Sequence, residues 1–179
     1  MIQVKETKLP GCMTVKFDLL QDLRGSFIKI FHEPMFEACG LPTQFAEEYI
    51  STSHRGVLRG LHFQVPPKAH GKLVYCSIGK VLDVGVDLRK ASPTYGQHVM
   101  VPLGADEGRA TYLPEGFAHG FYTLSDTAVI VCCQTGIYDA AADSGIAWDS
   151  VGIPWPDEHP ILSEKDQHHV RFEEFDSPF

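Results

Sequence analysis

Across residues 81–89 apolar and polar residues alternate one for one. Leu82, Val84, Val86 and Leu88 share one face, and Asp83, Gly85, Asp87 and Arg89 share the other. Successive side chains on a strand point to opposite faces, so a period of two predicts a β-strand here. Shorter strand-like runs cover 13–20, 26–31, 97–103, 110–113, 117–124 and 128–135, with a further short strand before Pro10. Turn chemistry separates them: Pro10-Gly11, Asp22-Leu23-Arg24-Gly25, Pro93-Thr94-Tyr95-Gly96 and Pro114-Glu115-Gly116. Helical signals are confined to one or two turns over 34–39, stopped by Gly40 and Pro42, and a short stretch after Ser163. Many short strands with no long amphipathic helix between them predict an all-β sandwich or barrel in a single domain, 1–179.

Composition narrows the function. The 179 residues are 44% hydrophobic and 21% charged, ordinary for a globular chain. A net charge of −8 excludes a nucleic-acid or anionic-membrane surface, both of which need clustered Lys and Arg. No apolar run approaches the roughly 18 residues of a membrane span, and Met1-Ile2-Gln3-Val4-Lys5-Glu6 has no apolar signal region, so the expected compartment is the cytoplasm. Five cysteines, at 12, 39, 76, 132 and 133, form no Cys-x-x-Cys pair and read as small buried hydrophobes, Cys132 excepted. Neither nucleotide-binding glycine loop nor a Gly-x-Ser-x-Gly elbow occurs. Nine histidines invite a metal, but His62-Phe63-Gln64 lacks the second imidazole of a His-x-His strand pair, so neither metal nor cofactor is expected. His168-His169, in a polar tail, reads as solvated surface.

The densest chemistry lies in Gly56-Val57-Leu58-Arg59-Gly60-Leu61-His62-Phe63-Gln64, with Gly71-Lys72-Leu73 following. Arg59 and His62 have opposite strand parity, so one cavity receives both only through a bend or bulge, which Gly60 is placed to supply. With Asp22-x-Arg24-Gly25-x-Phe27, Ser92-Pro93-Thr94-Tyr95-Gly96, Pro114-x-Gly116-Phe117-Ala118-His119-Gly120-Phe121 and Leu162-Ser163-x-Lys165-Asp166, these blocks resemble the dTDP-4-dehydrorhamnose 3,5-epimerase family over residues 10–170. The resemblance implies a cupin-like jelly roll and a metal-independent isomerase that acts on a nucleotide-diphosphate-linked 4-keto-6-deoxyhexose at C3, C5 or both.

By the same resemblance, His62 is the base, Asp166 orients it, and Lys72 faces the developing enolate oxygen. Arg59, Gln64, Glu48 and His119 line the substrate pocket, and Tyr138 stacks on the nucleotide base. Arg24 and Phe27 serve the diphosphate and base of a neighbouring subunit, which implies a homodimer with shared sites. The plain alternatives are a core Tyr138 and a solvated Lys72.

Two departures stand out. The family's acid, a tyrosine six residues before the Tyr138 position, is Cys132 here. Either the thiol donates, or a water or another side chain does so with one centre inverted, or the reaction is a related one such as a keto-sugar tautomerisation. Glu47-Glu48-Tyr49 replaces the family's usual acidic residue followed by Asn, which alters the pocket wall and leaves open a nucleotide or sugar other than the thymidine-linked one. A sugar-nucleotide-binding protein without catalysis and a metal-dependent cupin are the competing classes.

Overall fold

Strands carry most of the regular structure in the computed structural model, which describes residues 2–179. In chain order they are β1 (Ile2–Glu6), β2 (Met13–Phe17), β3 (Leu19–Asp22), β4 (Gly25–Ile28), β5 (Glu47–His54), β6 (Leu58–Gln64) and β7 (Lys72–Ile78). Then follow β8 (Lys80–Asp87), β9 (His98–Gly104), β10 (Arg109–Leu113), β11 (Phe117–Thr123), β12 (Thr127–Gln134) and β13 (Asp143–Gly145). Two short helices, α1 (Glu33–Ala38) and α2 (Glu164–Gln167), fall where the stop signals and the Ser163 cap place them.

One sheet has the order β1-β2-β10-β7-β12-β5, and a second has β13-β6-β11-β8-β9. Neighbours that are distant in sequence, such as β7 beside β10 and β6 beside β11, give the crossed connections of a jelly roll. Val74, Cys76, Ile130 and Cys132 from the first sheet meet Val81, Val101, Leu103 and Phe121 from the second. Each such side chain contributes about 2 kcal/mol when withdrawn from water.

The outer faces are covered too. Val15, Phe17, Leu73, Val131 and Cys133 lie under Phe36 and Leu41, on and just after α1. Leu61, Phe63, Val84, Val86 and Leu88 lie under the C-terminal segment, through Ile146, Ile153, Phe172 and Phe175. This covering explains β8. Its alternation holds, but the polar face turns inward, and both Asp83 and Asp87 are fully buried.

Two expected strands are shorter than their patterns. The run over 13–20 breaks into β2 and β3, and the run over 26–31 ends at Ile28. Cys39 lies exposed after α1, unlike the four buried cysteines. β3 and β4 form a separate hairpin that presents Leu20, Leu23 and Phe27 to solvent.

Candidate active site

The strand irregularity expected at Gly60 is present and sets the site. β6 pairs with β11 through Arg59 opposite Phe121 and His62 opposite His119, so that Gly60 and Leu61 on one strand oppose the single Gly120 on the other. Gly60 has φ of 140°, and a Cβ there would lie 2.6 Å from Gly120 Cα, so the close approach requires glycine. The bulge restores common parity, and Arg59 and His62 both line a cavity of about 360 Å³ between the sheets. The first sheet contributes Lys72, Cys132, Gln134 and Tyr49 to the facing wall, while Tyr138, Asp143, Lys165 and Asp166 stand with them around the space.

His62 Nε2 lies 2.5 Å from Asp166 Oδ1. The imidazole is about a third exposed and the carboxylate is buried. Burial pushes the His62 pKa down, partly offset by Asp166, which keeps a neutral, proton-accepting ring favoured. Burial works against charge on Asp166, but the neighbouring His169, His62 and Ser163 side chains outweigh it and hold the carboxyl below the usual range. Ser163 caps α2 by accepting from the Asp166 backbone N–H at 3.1 Å, which fixes the helix turn that carries the carboxylate.

Lys72 is buried, and its Nζ donates to the His62 carbonyl at 3.1 Å. Burial drives its pKa down, against the attraction of Cys132, Asp143 and Asp83. Arg59 is held by Ser53 Oγ at 3.0 Å and the Thr52 carbonyl at 3.1 Å. His119 Nε2 meets Asp83 Oδ1 at 2.7 Å. Gln64 pins the following loop: Nε2 donates to the Lys68 carbonyl at 2.9 Å, and Oε1 accepts from the Asp139 N–H at 2.7 Å. Tyr138 is exposed, with its hydroxyl 3.2 Å from Asp143 Oδ2. Cys132 is buried, and burial raises its thiol pKa against the pull of Lys72.

Three expected site residues lie outside this cavity. Glu48 has the opposite parity on β5 and accepts from the Cys133 thiol at 3.2 Å, so Glu47 is the acidic residue that faces inward. Arg24 and Phe27 sit on the exposed β3–β4 hairpin, Arg24 paired with Asp22.

His169 is not solvated surface. Its ring centroid is 5.5 Å from that of His62, and its Nε2 is 3.5 Å from Asp166 Oδ1. A Cβ on Gly145 would come within 2.5 Å of that ring, so glycine at 145 makes its room. The three-residue step from Asp166 to His169, one helical turn, was the available signal. Lys165, which ion-pairs with Asp143, and Ser51 also line the cavity without having been singled out. His62, Asp166 and His169 place ligand-type atoms within 4.8 Å of one another, but the short His62–Asp166 contact already uses one imidazole nitrogen and one carboxylate oxygen on each other.

Comparison with known proteins agrees with this arrangement. A family model described as dTDP-4-dehydrorhamnose 3,5-epimerase matches residues 6–174. A dTDP-4-dehydrorhamnose 3,5-epimerase from Shigella flexneri is 42% identical over 98% of both chains. A dTDP-4-dehydrorhamnose 3-epimerase from Streptomyces niveus is also 42% identical, over 93% of this chain and 82% of its own. Among solved structures, a dTDP-6-deoxy-D-glucose-3,5-epimerase from Legionella pneumophila in complex with dTDP-4-keto-L-rhamnose superposes with a TM-score of 0.93. It is 34% identical, over 98% of this chain and 95% of that one. The interior His62–Asp166 pair, the jelly roll around it and these matches agree: the chain belongs to the dTDP-4-dehydrorhamnose 3,5-epimerase family.

Proposed function

We propose that the protein epimerises a thymidine-diphosphate-linked 4-keto-6-deoxyhexose by removing a proton from carbon next to the ketone. The carrying observation is the His62–Asp166 contact on one wall of a cavity whose other wall holds Lys72. The ketone acidifies its neighbouring C–H bonds because the electron pair left behind spreads onto oxygen. His62 accepts the proton, and Asp166 stabilises the imidazolium that forms. Lys72 meets the enolate oxygen where charge appears only on the way to the intermediate. Reprotonation from the opposite face, the side of Cys132, inverts the centre. The ketone is its own electron sink, so the scheme requires no cofactor.

Arg59 and His119 line the sugar pocket, and Tyr138 offers an exposed ring at its mouth for the nucleotide base. The hairpin carrying Arg24 and Phe27 lies away from its own cavity, which supports their service to a second copy's diphosphate and base in a homodimer. Among the described residues no helix is long and apolar enough to cross a membrane. A charged nucleotide sugar does not cross a bilayer unaided, which supports work in the cytoplasm. A single-centre reading is favoured by one observation, Cys132 where the resemblance implies a tyrosine, and a relative described as a 3-epimerase has comparable identity.

The test is incubation of the wild-type protein, before and after chelation, with thymidine-, cytidine- and guanosine-diphosphate-linked 4-keto-6-deoxyhexoses. Formation of a C3 or C5 epimer from the thymidine-linked sugar, unaffected by chelation, is expected. Binding of thymidine diphosphate with no epimer from any of the sugars would reject the reading.

A further inference from the structure

β5 and β12 pair antiparallel in a register that sets Tyr49 directly opposite Cys132. Side chains in such a pair share a face, with Cβ atoms about 5 Å apart, and both residues line the cavity. Gln134, two residues along β12 from Cys132, lines the same cavity. A thiol is much smaller than a phenol, so Cys132 leaves room for a ring arriving from the next strand. The two partners differ in access: Cys132 is 1% exposed, whereas Tyr49 is 40% exposed. His62 stands on β6 in the other sheet. A sugar ring lying between the sheets therefore shows one face to His62 and the other to the Tyr49–Cys132 wall.

We propose that Tyr49 is the catalytic acid that protonates carbon on the face opposite His62, with the small Cys132 side chain opposite it leaving room for its ring. This rests on the epimerase reading above. His62 takes H⁺ from the carbon beside the ketone, and the C–H electron pair becomes the enolate. That pair then forms a new C–H bond with the Tyr49 phenolic proton, leaving a phenolate. The phenolate takes a proton from water at the cavity mouth as the imidazolium releases one, so no net proton is gained or lost. Burial keeps the phenol protonated until the enolate forms, since it raises the Tyr49 pKa. Cys132 has a proton too, but enclosed as it is, it has no comparable route for reloading from water.

The experiment compares wild type, Tyr49→Phe, Cys132→Ser and the double variant Tyr49→Phe/Cys132→Tyr on the thymidine-linked 4-keto sugar in deuterated water. Deuterium at C3 and C5 is followed by NMR and the epimers are separated chromatographically. Tyr49→Phe keeps the ring and removes only the proton. It is expected to slow epimer formation about 100-fold or more, while His62-dependent exchange with retained configuration continues. Cys132→Ser should lose far less activity than Tyr49→Phe, and the double variant should recover activity by presenting a phenol from β12. Wild-type epimerisation by Tyr49→Phe, or a loss confined to Cys132→Ser, would overturn the assignment. If the wild-type protein introduces no deuterium at either carbon, the epimerase reading itself fails, and the Tyr49 assignment with it.

Discussion

Two buried carboxylates, Asp87 and Asp166, show how similar burial serves different ends. Asp87 is gripped by the Arg89 guanidinium at 2.8 Å to each oxygen, with Ser92 Oγ at 2.6 Å and Thr94 Oγ1 at 2.7 Å. An arginine does not give up its proton, so this cluster holds one charge state and closes the turn that follows β8. Asp166 is held by imidazoles, which do change charge near neutral pH, and one of them borders an open cavity. Most of the buried unpartnered polar atoms lie at or near the cavity, although Thr111 Oγ1 and Thr123 Oγ1 lie away from it. His70 Nε2 and Gln134 Oε1 on the cavity wall, Asp83 Oδ2 behind His119, and His169 Nε2 beside His62 are all buried without a hydrogen bond. Asp87 and its two hydroxyl neighbours contribute none. Saturated networks favour structure, whereas networks left incomplete around a cavity are available to a substrate.

Substitution should separate the two carboxylates. Asp166→Asn is expected to slow epimerisation about 10²- to 10⁴-fold through loss of the orienting charge. Steady-state kinetics checks this, and an unchanged rate would break the contrast. Asp87→Asn should leave the chemical rate near wild type but cost about 2–3 kcal/mol of stability, because Arg89 keeps a charge whose partner is lost. Urea unfolding checks that figure.

The pH dependence follows from the same cluster. Burial alone would raise the Asp87 pKa, but the bonds from Arg89, Ser92 and Thr94 outweigh it and bring it from 3.8 down to about 2. A depressed folded value means the contribution is fully present above pH 3.8 and is lost as pH falls through about 2. Across that window wild type should lose about 2 kcal/mol that Asp87→Asn no longer has to lose. The smallest effect belongs to the hairpin. Arg24→Ala should raise KM about tenfold with kcat unchanged, as expected for one lost charge-assisted bond to a diphosphate.

Much of this was legible in the chain, for reasons that differ by residue. Period-two patterning located β8, and with Arg59 and His62 assigned to one cavity their opposite parity required a bend or bulge, which Gly60 was placed to supply. Parity does not say which face is inside when both are covered, so Asp83 and Asp87 gave no sign that they are fully buried. On β5 a one-residue ambiguity mattered: the resemblance pointed to Glu48, while the β12 register turns Glu47 and Tyr49 inward. The polar neighbours of His169 in sequence point to surface, whereas its packing depends on Gly145, far away along the chain. Cys39 failed the general expectation for cysteines because it follows a short helix at the surface.

The most direct measurement is solvent exchange by His62→Asn against wild type, each given the thymidine-linked 4-keto sugar in deuterated water. Wild type should place deuterium at C3, C5 or both, and His62→Asn should place almost none while still binding thymidine diphosphate. Deuterium entering at the wild-type rate in His62→Asn would contradict the assignment of that imidazole as the base.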